Sequence, residues 1–139
     1  MPFIAKCKVD RLEKAAEFAE VYKQWLYLCQ HNIGLQFYFS NKGYSQIAIY
    51  GMNEIAERLL DELADTNICV ECIIDKNADG IYIDDTRIVC PDSIPSSINA
   101  IVVASIHYYE DIKNELSKRC ECPIVSLKDV VNELYAGDV

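Results

Sequence analysis

A glycine turn near the middle of the chain is the first feature with a recognisable chemical use. The apolar run 47–50 ends at Gly51 and passes directly into an amphipathic helix, as a nucleotide-binding βα unit does. The second and third motif glycines are replaced by Asn53 and Ala56, so a side chain stands where a phosphate would approach. Glu54 adds negative charge where a helix start favours an anion. The turn therefore predicts a phosphate site, a site for another ligand at the strand ends, or a structural turn in which Asn53 caps the helix.

Three more polar residues follow predicted strands and should lie at the same edge of a sheet. Asp75 ends the second strand, near the spacing of roughly 20 residues at which an acid binds a ribose hydroxyl; its alternative role is to begin a turn. Ser105 and His107 follow the apolar strand 100–104, and His107 is expected beside Gly51, facing a ligand, or as an exposed residue at a helix start. The predicted binding residues are Gly51, Asn53, Asp75, Ser105 and His107.

Residue spacings that suggest catalysis or metal binding are also present, but they are less specific than the glycine turn. Residues 75–86 match several positions of a calcium loop, but a threonine stands where a bidentate glutamate is required. Tyr109 and Lys113 have the Y-x-x-x-K spacing by which some reductases lower the pKa of a tyrosine, and Tyr38 with Lys42 repeats it, as chance matches do. The sequence therefore predicts no catalytic residue and no metal site, and an enzymatic role is left open.

Charge and cysteine content limit the partners. The net charge of −9, from 22 acidic and 13 basic residues, repels nucleic acid and anionic membranes. No apolar run approaches the roughly 20 residues of a membrane span, and the first ten residues lack the core of a signal peptide. A cytoplasmic protein is expected, in which the seven cysteines are reduced and serve mostly as small core residues.

Two kinds of elements must position these residues. Residues 8–30 have the apolar spacing of a long helix, and an aromatic segment, 35–40, follows it. Trp25 and this segment must cover either the sheet or a second subunit, and homodimerisation through them is the expected partner interaction. From residue 44 strands alternate with helices, which indicates a parallel sheet with right-handed crossovers. Strands are predicted at 47–50, 67–74, 81–83, 87–90, 100–104 and 123–125, helices at 54–64, 108–118 and 127–135, and a single helical turn at 91–95.

Residues 44–131 resemble the short Rossmann-like domains of bacterial cell-surface polysaccharide clusters, which are related to nucleotide-sugar epimerases and dehydratases. The resemblance is carried by IAIYGMNEIAERLLDEL, IIDKNAD, AIVVASIHYYEDI and PIVSLKDVV. EVYKQWLYL with the following FYF is similar to the leader of such proteins. Where that group has G-M-G-E-x-G, this chain has Gly51, Asn53 and Ala56. The resemblance implies a nucleotide-related ligand and a role in surface-polysaccharide biosynthesis.

Together these observations predict an α/β protein, with an N-terminal helical extension at 1–43 and a Rossmann-like domain at 44–139. The expected core is a three-layer parallel sheet of about five strands in the order 3-2-1-4-5. The expected function is non-catalytic binding of a nucleotide or nucleotide-sugar, with NAD as another possible cofactor. The alternatives are a homodimeric interaction protein that has lost its ligand and, third, an NAD-dependent epimerase or oxidoreductase.

Overall fold

A computed structural model describes residues 3–77, 81–83 and 85–137 and shows an α/β fold. From residue 46 onwards the strands and helices follow one another in the predicted order, and a long helix stands at the start of the chain's described part. The first helix begins at Phe3, earlier than predicted. The elements are α1 Phe3–Gln30, α2 Gln36–Lys42, β1 Gln46–Tyr50, α3 Glu54–Leu63, β2 Cys69–Ile74, β3 Ile81–Ile83, β4 Thr86–Val89, a 3₁₀ turn Pro91–Ser93, β5 Ala100–Val103, α4 Tyr109–Ser117, β6 Ile124–Ser126 and α5 Leu127–Tyr135.

The predicted sheet order is confirmed. In the described part of the chain, five parallel strands lie in the order β4-β2-β1-β5-β6, which is 3-2-1-4-5 in chain order. A sixth strand, β3, pairs with β4 in antiparallel direction and forms one edge. No helix lies between β2 and β4 in the described residues; β3 lies in that connection instead.

The two faces of the sheet are covered unequally. Ile47, Ile49 and Val102 point to the face covered by α1, α2, α3 and α5. Ala48 and Val103 point to the other face, where α4 and the segment after the 3₁₀ turn pack. The pairing of β1 with β2 is irregular between Ile47 and Ala48, where the register shifts. The result is the predicted three-layer arrangement.

The N-terminal helix and the aromatic segment are part of this core. The aromatic segment forms α2, which ends at Gly43 in the left-handed conformation, φ +78°. Trp25, Tyr38 and Phe39 are buried in the core cluster that also contains residues of β1 and α5. They therefore cover the sheet and its helices within one chain. The division between residues 43 and 44 stays a prediction.

The cysteines differ in how far they are buried. Of the six whose side chains are described, Cys72 is buried, whereas Cys29 and Cys69 are exposed. Cys120 and Cys122 are partly buried against the same core cluster as Cys72, so three of the six contact the core, whereas Cys29 and Cys69 stand at element ends, where side chains meet water. Among the described helices, none combines the length and apolar composition that crossing a membrane requires.

Candidate functional site

The glycine turn joins the ends of three strands. The N–H of Gly51 donates to the Ile74 carbonyl at 2.9 Å, and the N–H of Ala104 donates to the Tyr50 carbonyl at 2.9 Å. Gly51 has φ +106°, a conformation that residues with a Cβ rarely adopt. A Cβ there would lie 3.8 Å from the Ser105 nitrogen, so the turn lies directly beside the segment that follows β5.

Asn53 caps α3. Its backbone is extended, and its Oδ1 accepts a hydrogen bond from the N–H of Ala56 at 2.9 Å. The side chain thereby occupies one of the donors that an anion would use at a helix start. Glu54 and Glu57 add negative charge to the same helical turn. A phosphate is therefore disfavoured in this turn.

Asp75 links the end of β2 to the glycine turn. Its Oδ2 accepts a hydrogen bond from the N–H of Met52 at 3.3 Å, and its Oδ1 accepts one from the N–H of Asn77 at 2.9 Å. Asp75 thus begins a turn, which is one of its two predicted roles, and also contacts the backbone just after Gly51; the binding of a ribose hydroxyl stays a prediction. A carboxylate offers about four acceptor positions, so two hydrogen bonds leave capacity for a hydroxyl donor. The pKa of nearby Tyr50 is raised, mainly by burial and also by the charge of Asp75.

Ser105 and His107 lie at the carboxyl edge, but His107 is held by α1. The Ser105 hydroxyl donates to the His107 carbonyl at 2.8 Å. The imidazole Nδ1 lies 3.2 Å from Glu17 Oε2, and the ring packs edge-on against Phe18 at 4.9 Å between centroids. Its buried Nε2 has no hydrogen-bond partner among the described residues. The ring of His107 is therefore engaged by α1, which offers it a carboxylate and an aromatic surface, and its expected position beside Gly51, facing a ligand, stays a prediction.

Two residues of α1 complete this edge. Glu17 also accepts a hydrogen bond from Lys128 Nζ at 2.7 Å, and the pKa of Glu17 is lowered, first by that hydrogen bond and against the opposing effect of burial. Lys14 Nζ donates to the Tyr108 hydroxyl at 2.7 Å. A cavity of about 450 Å³ lies between α1 and residues 106–111. Sequence reasoning missed Lys14 and Glu17, since no local spacing connects them with a segment some 90 residues away.

The spacings that suggested catalysis are used structurally. The Tyr109 hydroxyl donates to the Ile124 carbonyl at 2.8 Å, and burial raises its pKa. Lys113 Nζ lies 5.9 Å from the centre of the Tyr109 ring. Burial raises the pKa of Tyr38 to about 12. These shifts are opposite to those of a tyrosine that works as a proton donor near neutral pH.

The described residues contain no group of three or more His, Cys, Asp or Glu side chains placed to hold a metal ion. In the calcium-like stretch, Asp79, Gly80 and Asp84 lie outside the described residues.

The fold and this edge define a small parallel α/β domain with polar residues gathered at the carboxyl ends of its central strands. The chain belongs to the C2185-like family: the model of the family's N-terminal domain matches residues 43–123. The match includes all five predicted binding residues and begins at Gly43, where α2 ends. No curated protein and no solved structure matches the chain.

Proposed function

We propose that this domain binds a nucleotide or nucleotide-sugar through its ribose hydroxyls, at the carboxyl ends of β1, β2 and β5, without transforming it. The observation that carries the proposal is the position of the Asp75 carboxylate, which is fixed at the Gly51 turn by the N–H of Met52. Carboxylates at this place in parallel α/β sheets accept hydrogen bonds from ribose hydroxyls. Ser105 lies on the other side of the same turn.

The electrostatics favour the sugar over the phosphate at this turn. Asp75, Glu54 and Glu57 all belong to this end of the sheet, and Asn53 already occupies the N–H of Ala56. A phosphate there would face carboxylates, whereas a hydroxyl would donate to one. The phosphates of the ligand are therefore proposed to lie away from the Gly51 turn.

Binding without a reaction is proposed because the groups with catalytic spacing are committed elsewhere. Tyr109 donates to a backbone carbonyl and has a raised pKa, so it is poorly suited to proton transfer. His107 is engaged by Glu17. An NAD-dependent epimerase or oxidoreductase therefore ranks behind a binding domain. A role in surface-polysaccharide biosynthesis rests on the motif resemblance alone, and the cytoplasmic location and absence of nucleic-acid partners remain predictions from sequence.

A panel of purified ligands tests this proposal by thermal shift. NAD, NADP, coenzyme A, UDP-glucose and the nucleosides adenosine and uridine are compared at equal concentrations. A ligand at 100 times its Kd stabilises the folded state by about 2.7 kcal/mol. NADP differs from NAD by a 2′-phosphate, which would meet Asp75, so NAD should raise the melting temperature more. If NAD raises the melting temperature, an equal shift with NADP would contradict the ribose role, and no shift with any compound would overturn the proposal.

Variants of Asp75 separate binding from folding. An asparagine at position 75 retains an oxygen for the N–H of Met52 but loses the charge, whereas an alanine loses both. We expect Asp75→Asn to fold normally and to bind the active ligand at least tenfold more weakly. Asp61→Asn is the matched control, since Asp61 is an exposed acid on α3 that pairs with Arg58. Unchanged affinity in Asp75→Asn would refute the assignment.

A second candidate function is a homodimeric interaction protein, and the surface of α1 favours it. Leu12, Tyr22 and Leu26 are exposed although the same helix buries Trp25 and Leu28. Contiguous exposed apolar side chains mark interaction sites more often than scattered ones do. Because Trp25, Tyr38 and Phe39 are buried within one chain, the interface of such a dimer would be formed by the outer side chains of α1 instead.

A further inference from the structure

Six of the exposed apolar residues of α1 follow a heptad repeat, whereas exposed Ala16 and Tyr27 lie outside it. The separations of these six along the chain are 3, 4, 3, 4 and 3 residues, which are those of the a and d positions of a coiled coil. Leu12 is 70% exposed and Leu26 59% exposed, so the stripe is open to solvent along its length. We call these residues the α1 seam: Leu12, Ala15, Ala19, Tyr22, Leu26 and Cys29.

The α1 seam lies beside the stripe that α1 buries against its own chain. Val21, Trp25 and Leu28 form that buried stripe. At the junction, a groove of about 280 Å³ is lined by Tyr22, Trp25, Leu26 and Cys29 of α1 and by Arg58 and Glu62 of α3. Apolar side chains thus continue from the core onto the surface, so α1 is apolar over a wider arc than one packed face requires.

We propose that the α1 seam pairs with the α1 seam of a second copy in antiparallel orientation. This inference rests on the homodimer proposed above and specifies its surface and register. In this orientation one register pairs every seam residue with another seam residue. It is the register in which the numbers of two facing residues add up to 41. Ala15 then faces Leu26 of the second copy, Ala19 faces Tyr22, and Leu12 faces Cys29.

Side-chain size supports this register. The two alanines near the middle of the α1 seam face the two large side chains, Leu26 and Tyr22, of the second copy. Large residues opposite small ones let two helices approach and interdigitate. A parallel pair in register would instead place alanine opposite alanine at two successive positions and leave gaps.

Light scattering coupled to size-exclusion chromatography tests the interface. The wild-type chain is expected to be dimeric at tens of micromolar, and Leu26→Glu to be monomeric with an unchanged circular dichroism spectrum. Tyr82→Glu is the matched control, because Tyr82 is 63% exposed on β3, remote from α1 in the sheet order, and should leave the dimer intact. A wild-type monomer at all concentrations would overturn the dimer and the seam together. A Leu26→Glu dimer would overturn the seam alone.

Disulfide trapping tests the register independently of any destabilisation. Two chains of different tag length, one with Ala15→Cys and one with Leu26→Cys, are mixed and oxidised in a Cys29→Ser background. The antiparallel register predicts a disulfide between the two different chains at least tenfold more abundant than one between two Ala15→Cys chains. Preferential Ala15→Cys self-linkage would establish a parallel pair and overturn the proposed register. Neither test depends on nucleotide binding. The ligand proposal can therefore fail without affecting the result for the dimer, and the dimer can fail without affecting the ligand proposal.

Discussion

Glu62 holds the N-terminal region to α3, and its removal should destabilise the protein measurably. Its Oε1 accepts hydrogen bonds from Trp25 Nε1 at 2.8 Å and from the Cys29 thiol at 3.3 Å, and its Oε2 accepts one from the N–H of Leu35 at 2.9 Å. Trp25 is 5% exposed and Leu35 is fully buried. Glu62→Ala therefore leaves two strong, buried donors without an acceptor.

The expected loss of stability follows from the two donors that are left without an acceptor. Each buried donor left without a partner costs about 1–3 kcal/mol. Because the groove beside Glu62 is open to water, the lower half of this range applies, which gives about 2–4 kcal/mol for the pair. An unfolding entropy of about 2.1 cal/mol/K per residue amounts to about 0.3 kcal/mol/K for this chain, so the melting temperature should fall by roughly 7–13 °C.

Urea unfolding followed by the fluorescence of Trp25 measures this loss. All variants are compared at one low protein concentration, because a dimer would add a concentration-dependent stabilisation. Glu57→Ala is the control, since Glu57 is an exposed acid on the same helix. If Glu62→Ala unfolds within 0.5 kcal/mol of the wild type, the hydrogen bonds do not stabilise the N-terminal region as argued.

The same carboxylate affects the reactivity of Cys29. Although the residue as a whole is exposed, its sulfur lies in the groove beside Glu62, and the pKa of Cys29 is raised to about 11, mainly by this partial burial, then by the hydrogen bond to Glu62 and by its charge. Glu62→Gln removes the charge, so the thiolate fraction at pH 8 should increase. Alkylation of Cys29 by iodoacetamide, followed by mass spectrometry, should be faster in the variant; an unchanged rate would show that burial alone sets the pKa.

Three further predictions concern the glycine turn and the α1 contacts. Gly51→Ala should cost more stability than Gly43→Ala, by about 1 kcal/mol or more, because φ +106° at Gly51 lies further from the left-handed region than φ +78° at Gly43; comparable losses in calorimetry would contradict this. Asn53→Ala should cost about 1 kcal/mol and Asn53→Ser much less, as measured by urea unfolding, because serine retains a capping oxygen. The lowered pKa of Glu17 means that its contribution to stability is present above its ordinary pKa of 4.5 and is lost as the pH falls through the lower folded value. Lys128→Met should therefore make unfolding curves less dependent on pH below about 4.5, and an unchanged dependence would refute the role of that hydrogen bond.

Much of the fold was predictable because local patterns determine it. The apolar run before Gly51 and the helical spacing after it specify β1 and α3, and the alternation that follows leaves few topologies for a parallel sheet. The antiparallel pairing of β3 with β4 was not predicted, because a three-residue strand carries no signal of its direction.

From the sequence it could be predicted which residues follow each strand, but not which contacts they make with other parts of the chain. Sequence placed Asp75 and Ser105 at the carboxyl edge, since residues that follow parallel strands meet there. It did not show that Asp75 binds the N–H of Met52, nor that His107 turns to Glu17. Such contacts join residues that are 23 and 90 positions apart in the chain, and only the packing of elements brings them together.

The sequence by itself thus determined the order of strands and helices from residue 46 onwards and the Gly51 turn, and it offered the Asn53 cap as one reading of that turn, because these depend on conformational preferences within a few residues. Tertiary structure alone decided the use of the N-terminal helix. One stripe of α1 packs on the sheet side of the molecule and brings Glu17 to His107 at the carboxyl edge of the sheet, while the α1 seam stays exposed. Both stripes are apolar in sequence, and only the docking of α1 against the other helices distinguishes the buried one from the free one.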